Sequence, residues 1–173
     1  MLNKQKYDII LKDKFYKRKV IMIKVLFVCL GNICRSPMAE FVFKDLLKKE
    51  GLEKEFYVES AATSNEAVGE QMHYGTVQIL KENNVEFGHK TSRQLTKEDY
   101  EKFDYILGME TKNIINIKRI VGEDSNNKIY RLLYFSKNPR DIADQWYTGN
   151  FDSTYYDVLD GCETFLEFLR KNS

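Results

Sequence analysis

Apolar positions in this chain come in short blocks separated by polar stretches, and the spacing within each block indicates its element. Ile23 to Val28 is a continuous apolar run broken only by Lys24, as expected of a strand buried on both faces in a parallel sheet. After a short loop, Met38, Val42, Leu46 and Phe43, Leu47 recur at helical spacing. This predicts a helix with Ser36 as N-cap, Pro37 as first helical residue, an end near Glu50, and Gly51 as its stop. Phe56 to Ala61 reads as a second strand, and Tyr74 to Asn83, with Val77, Ile79 and Leu80, as a helix. Thr96-Lys-Glu-Asp99 has the form of a capping box opening a short helical turn. Tyr105 to Met109 is a third strand, Lys112 to Val121 a helix, Gly122 to Lys128 a polar loop, and Ile129 to Phe135 a fourth strand. Asn138 to Asn150 reads as irregular, and Ser153 to Lys171 as a last helix with Val158, Cys162, Phe165, Leu166 and Leu169 inward. Strands separated by helices of this length predict an α/β fold: one domain, a parallel sheet, helices on its faces.

Composition narrows the class. A chain of 173 residues suits a single core, and 43% hydrophobic with 31% charged residues is ordinary for a globular protein. No apolar run approaches the roughly 20 residues of a membrane helix. The net charge of +1 points to neither nucleic acid nor a membrane surface. Three cysteines without a disulfide-framework spacing fit a reduced, cytoplasmic setting. Charge is uneven, however. Residues 1–21 hold seven Lys or Arg against Asp8 and Asp13, a net of +5, which leaves −4 on the remainder. With only Ile9-Ile10-Leu11 as an apolar cluster, this is no secretory signal. The expectation is a flexible basic extension, or an upstream start preceding Met22, followed by one domain over residues 22–173.

The chemistry concentrates in Cys29-Leu-Gly-Asn-Ile-Cys-Arg35-Ser36, between the first strand and the first helix. A phosphate dianion needs several converging donors. Backbone N–H groups of Leu30, Gly31, Asn32, Ile33, Cys34 and Arg35 can curl into a cradle backed by the helix N-terminus. Gly31 permits a tight turn, and Asn32 tolerates a left-handed conformation while bracing the loop with its amide. Arg35 is the residue type that grips two phosphate oxygens at once. The same field acidifies a thiol at Cys29 and makes it nucleophilic. Ser36 can hydrogen-bond the sulfur. Reaction through a phosphocysteine further requires an acid for the leaving oxygen and a base for water. No Gly-Lys-Ser/Thr follows the loop, so it is not a nucleotide P-loop. The spacing of Cys29 and Cys34 is wrong for a zinc knuckle, and only His73 and His89 supply imidazoles. Cys162 lies on an apolar helix face and reads as core.

Val28-Cys-Leu-Gly-Asn-Ile-Cys-Arg-Ser-Pro-Met-Ala-Glu40 resembles the signature of the low-molecular-weight protein tyrosine phosphatases. Val58 to Ser64, Arg93 to Asp99, Phe103 to Met109 and Asp144-Gln-Trp-Tyr147 resemble further family segments in the same order, so the resemblance spans about Met22 to Lys171. It implies a four-stranded parallel sheet and hydrolysis of phosphotyrosine in proteins through a phosphocysteine, without metal or cofactor, in a monomer or weak homodimer. By position it makes Cys29 the nucleophile, Arg35 the phosphate clamp, and Asp144 the general acid and then base, with Asp141 and Asp152 as the nearest rival acids. It makes Ser36, Asn32, Ser60 and His89 supports of the loop, and Phe56, Trp146 and Tyr147 walls of an aromatic cleft. Tyr147 also resembles a phosphorylatable family tyrosine. Cys34 matches a cysteine that forms a reversible disulfide with the nucleophile.

Several departures bear on this resemblance. Gln145 follows the acid where the family usually has proline, which would stiffen the loop; glutamine is expected to leave it more mobile. Glu110 stands where aspartate is usual, and Gly108 where a bulkier residue often sits. Protein-arginine phosphatases of the same fold usually carry threonine at the position of Ile33, and the apolar isoleucine favours an aryl ring. Related arsenate reductases need two mid-chain cysteines, and none lies between Arg35 and Gly161. The competing readings are thus an arginine phosphatase of this fold and a non-catalytic module that binds phosphotyrosine or phosphate.

Overall fold

The computed structural model describes residues 21–172; the basic extension, apart from Ile21, lies outside the described residues. Four parallel strands form one sheet in the order β2-β1-β3-β4: β1 Ile23–Cys29, β2 Phe56–Ala62, β3 Tyr105–Gly108 and β4 Ile129–Arg131. Central β1 carries the apolar run because both its faces are covered. Val25, Phe27 and Cys29 join a core shared with helices α1 (Arg35–Lys49), α2 (Tyr74–Glu82) and α6 (Phe151–Lys171). Leu26 and Val28 join a second core on the other face, under α3 (Lys97–Lys102) and α4 (Thr111–Val121). The inward residues expected of the last helix, Cys162 among them, are all buried. Among the described residues no helix is long and apolar enough to cross a membrane.

Three boundaries differ from expectation, each for a local reason. Helix α1 begins at Arg35, so Ser36 and Pro37 lie inside its first turn instead of capping it. Proline is tolerated there because the first N–H groups of a helix have no intrahelical acceptor. At the other end, Gly51 adopts φ 69°, and the Gly51 and Leu52 N–H groups donate back to Lys48 and Leu47, which closes the helix as foreseen. The apolar run from Ile129 is only three residues of strand before a 3-10 turn, Leu132–Tyr134. The turn buries Leu132 and Leu133 completely. The stretch expected to be irregular contains a one-turn helix, α5 (Gln145–Thr148), and α6 begins at Phe151, two residues early, capped by Asn150 Oδ1 accepting from Ser153 N–H at 2.9 Å. In parallel sheets ligands sit beyond the C-terminal strand ends. Here the ends of β1 and β2 face the starts of α1 and α5.

Candidate active site

Cys29 is the last residue of β1 and 3% exposed. The loop after it is shaped by its carbonyls, which are held outward by the scaffold. The Cys29 and Leu30 carbonyls accept from Thr63 and Ser64 N–H, both at 2.9 Å. The Gly31 carbonyl accepts from the Ser92 hydroxyl at 2.8 Å, and that of Ile33 from His73 N–H at 2.8 Å. Among the loop amides, the N–H of Asn32 donates to Cys29 Sγ at 3.2 Å. The left-handed turn falls on Asn32, φ 54°, and not on Gly31. A Cβ at Gly31 would meet only ordinary contacts, so the conformational freedom expected of that glycine is not what the turn uses.

Asn32 organises the loop from beneath. Its Oδ1 accepts from Arg93 N–H at 3.2 Å, and its Nδ2 donates to the hydroxyls of Ser36 at 2.8 Å and Ser60 at 2.9 Å. The Ser36 hydroxyl lies 3.1 Å from Cys29 Sγ. The Ser60 hydroxyl donates to Glu40 Oε2 at 2.6 Å, and that carboxylate also holds the ammonium of Lys90 at 3.1 Å. A chain of buried polar contacts therefore runs from the sulfur to a buried ion pair below the sheet end.

Arg35 is 1% exposed and lines the hollow. One guanidinium nitrogen donates to the Ile142 carbonyl at 3.0 Å; the other lies 2.8 Å from both Glu110 Oε1 and Asp144 Oδ2. Asp144 is also the N-cap of α5, its Oδ1 accepting from Trp146 N–H at 3.1 Å. Both oxygens of this carboxylate are thus engaged, and it points into the same hollow as Cys29. The hollow, about 260 Å³, is lined by residues 29–31 and 33–35 of the loop, by Asp144, Trp146 and Tyr147 on one side, and by Ser64, Glu66 and Ala67 on the other. Cys34 sits in its wall, 7% exposed; burial and then the neighbouring Cys29 charge push its thiol up to about 12.

The family profile described as low molecular weight phosphotyrosine protein phosphatase matches residues 24–173. The chain is 40% identical to the low molecular weight protein-tyrosine-phosphatase YfkJ of Bacillus subtilis, covering 87% of this chain and 97% of that one. It belongs to this family. The crystal structure of YfkJ superposes with a TM-score of 0.83 over 88% of this chain and 97% of YfkJ. PtpA of Staphylococcus aureus is 37% identical over 88% of this chain and 97% of its own length. A Drosophila arginine phosphatase shares the fold at 30% identity and a TM-score of 0.80, over 87% of this chain and all of its own.

Against the family expectation, two residues fall elsewhere. Phe56 opens β2 opposite Ile23, at the sheet end remote from Cys29, and packs edge-on against Phe43 at 5.8 Å. Parallel pairing leaves no alternative: Cys29 aligns with Ala62, so only residues after β2 reach the cleft. That wall is Ser64, Glu66 and Ala67, and it carries no aromatic ring. His89 is exposed and lines a surface hollow with Gln71 and Met72. Its neighbour Lys90 reaches beneath the loop instead, bonding the Ser60 carbonyl at 3.0 Å as well as Glu40. Trp146 and Tyr147 do line the cleft, 64% and 81% exposed.

Sequence reasoning gave no role to Glu110, Glu40, Lys90, Ser92 or Arg93. One signal was available: Glu40 lies four residues after Ser36, hence on the same helix face. Gln145, expected to loosen the acid loop, is 1% exposed, its Oε1 3.5 Å from the Thr154 hydroxyl of α6.

Proposed function

We propose that this chain hydrolyses phosphotyrosine in proteins through a phosphocysteine. The observation that carries the reading is one hollow shared by Cys29, Arg35 and Asp144, with the exposed ring of Trp146 at its edge. The phosphoryl group settles among the loop amides, and the Arg35 guanidinium exchanges carboxylate partners for phosphoryl oxygens. Cys29 sulfur attacks phosphorus as the phosphorus–oxygen ester bond breaks, and Asp144 delivers its proton to the departing phenolic oxygen. The carboxylate then takes a proton from water as that water attacks the phosphocysteine. Sulfur leaves toward the Ser36 hydroxyl, and inorganic phosphate is released. Asn32 and Ser60 hold Ser36 in place and Trp146 flanks the ring. Cys34, five residues after the nucleophile and lining the same hollow, is the partner that captures Cys29 as a reversible disulfide once a peroxide has oxidised its sulfur to the sulfenic acid, with release of water.

Phosphoarginine is the second substrate to be weighed. The wall without an aromatic ring and the acid Glu66 on it suit a guanidinium, and the likeness to an arginine phosphatase supports the comparison. Ile33, apolar and in the lining, favours the aryl ester. Assays of para-nitrophenyl phosphate, a phosphotyrosine peptide and phosphoarginine in EDTA decide between them. Expected are turnover of both aryl esters, loss of turnover in Cys29→Ser, and a fall of about 10²- to 10⁴-fold in kcat for Asp144→Ala on the phosphotyrosine peptide. A preference for phosphoarginine would replace the tyrosine reading. Phosphate binding without turnover would reduce the site to a binding module.

A further inference from the structure

The two walls of the cleft are built from segments without a basic residue. There is no Lys or Arg between Lys54 and Lys81, nor between Arg140 and Arg170. Their Asp and Glu residues are therefore unmatched by any Lys or Arg of the same segments, and they carry exposed aromatic rings. Glu66 lines the cleft and is exposed. Glu70 is exposed on the same loop, whose backbone is tied to Ser92: Gly69 N–H donates to the Ser92 carbonyl at 2.9 Å, and the Glu70 carbonyl accepts from Ser92 N–H at 2.8 Å. Asp152 is exposed in the first turn of α6. It follows Phe151, whose ring stacks on His73 at 5.4 Å, and His73 in turn meets the Trp146 ring at 5.7 Å. None of Glu66, Glu70 and Asp152 has an ion-pair partner among the described residues. The cations beneath the loop are already committed: Lys90 to Glu40, Arg93 to Glu59 and Asp99. Trp146, Tyr147 and Tyr74, all largely exposed, add ring faces of the kind that attract ammonium and guanidinium groups.

A phosphotyrosine peptide brings charges of two kinds to this surface. Its phosphate dianion is met inside the hollow by Arg35 and the loop amides. Its flanking side chains lie on the rim, where an acidic flank faces like charge and a basic flank meets free carboxylates and ring faces. We propose that the rim selects phosphotyrosines flanked by Lys or Arg over those flanked by Asp or Glu. The inference rests on the tyrosine phosphatase reading above and names the substrate class for that same site.

The test uses matched phosphotyrosine peptides with lysine, glutamine or glutamate at the neighbouring positions, at low and at near-physiological ionic strength. Para-nitrophenyl phosphate, which has no flanks, reports the chemistry in parallel. Each exposed charge pair contributes modestly, so kcat/KM is expected to rise about three- to tenfold from the glutamate to the lysine peptide. The gain should appear in KM and shrink as salt is added. The combined variant Glu66→Gln, Glu70→Gln, Asp152→Asn should level the three peptides, and Glu66→Lys with Glu70→Lys should reverse their order. Because each variant is compared across peptides, a general loss of activity cannot imitate this change in ratio. Turnover of all peptides at one rate, or an unchanged preference in the variants, overturns the proposal while leaving the tyrosine reading intact. Silence toward every peptide and para-nitrophenyl phosphate, or preference for phosphoarginine, overturns both.

Discussion

Replacing Lys90 by methionine separates the scaffold of the loop from its chemistry. The Glu40 side chain is 5% exposed, with three partners: Lys44 at 2.5 Å on Oε1, and the Ser60 hydroxyl at 2.6 Å and Lys90 at 3.1 Å on Oε2. Breaking a buried pair by removing one member costs about 3–5 kcal/mol, because the other charge stays buried. Lys44 keeps hold of Glu40 but is 43% exposed, so its compensation is partial and the loss falls to about 2 kcal/mol. The lost hydrogen bond to the Ser60 carbonyl adds about 1 kcal/mol. A total of about 3 kcal/mol corresponds to about 6–12 °C in Tm for a chain of this size. Ser36 and Asn32 retain their bonds to the sulfur and to each other, so kcat on para-nitrophenyl phosphate, measured well below the melt, should fall less than about tenfold. Thermal melts and urea titrations read the first quantity. The cycle with Glu40→Gln reads the coupling, since both changes together should cost about 1–3 kcal/mol less than their sum. A Lys90→Met protein melting with the wild type, or strictly additive changes, would refute the argument that Lys90 and Glu40 act as one buried unit.

Three further outcomes follow from the geometry. Ser36→Ala removes the hydroxyl 3.1 Å from Cys29 Sγ; a hydrogen bond to a charged sulfur is worth about 1.5–3 kcal/mol, so kcat should fall about 10- to 100-fold, and an unchanged kcat in stopped-flow turnover would sink that role. Burial raises Cys34 to about 12, with the Cys29 charge adding to it, and raises Cys162 well above its ordinary value of 9.0. The folded chain then keeps protons that the unfolded chain releases, so this contribution is complete below pH 9 and lost as pH rises past it, by about 1.4 kcal/mol per pH unit for each cysteine. Urea titrations between pH 9 and 10, below the range of the tyrosines and lysines whose values are also raised, should show this decline, and Cys34→Ser should lessen its slope; a slope unchanged by the substitution would contradict it. In Gly161→Ala the new Cβ would come within 2.5 Å of Leu132 Cγ, whose side chain is fully buried and cannot step aside, so Tm should drop by an amount equivalent to about 1–2 kcal/mol after the gain in helix propensity; a raised Tm would show that α6 moves freely.

How far the sequence carried depended on whether the answer was local. The loop proposed to hold phosphate is local: Cys29, Asn32, Arg35 and Ser36 lie within eight residues, and their relations follow from a strand end meeting a helix start. Elements with a clean period, such as β1 and α6, were legible to within two residues. The Ile129 run misled because two adjacent leucines buried in a turn look the same as a strand buried on both faces. Lys90 and His89 are adjacent, and nothing in residue type says which one turns inward; that is decided by Glu40, fifty residues earlier and on another element. Phe56 could have been placed correctly, because strand direction alone sets which end of β2 meets Cys29.

The acid loop shows how a local rule can be replaced by a tertiary one. Proline after Asp144 would fix one backbone dihedral and nothing else. Glutamine fixes none, yet Asp144 is held at both oxygens, by Arg35 and by the N–H of Trp146. The Gln145 side chain is 1% exposed, its carbonyl oxygen 3.5 Å from the Thr154 hydroxyl and its side chain in hydrogen-bonding contact with the Cys34 thiol, so the segment is anchored by packing against α6 and the loop. Arg35 has two tasks in this arrangement. In the free protein it ties Asp144 and Glu110 together; with phosphate in the loop it must share its guanidinium with a dianion. On the proposed mechanism, the arrival of the phosphoryl group therefore loosens the hold of Arg35 on Asp144 at the step in which that carboxyl is called on.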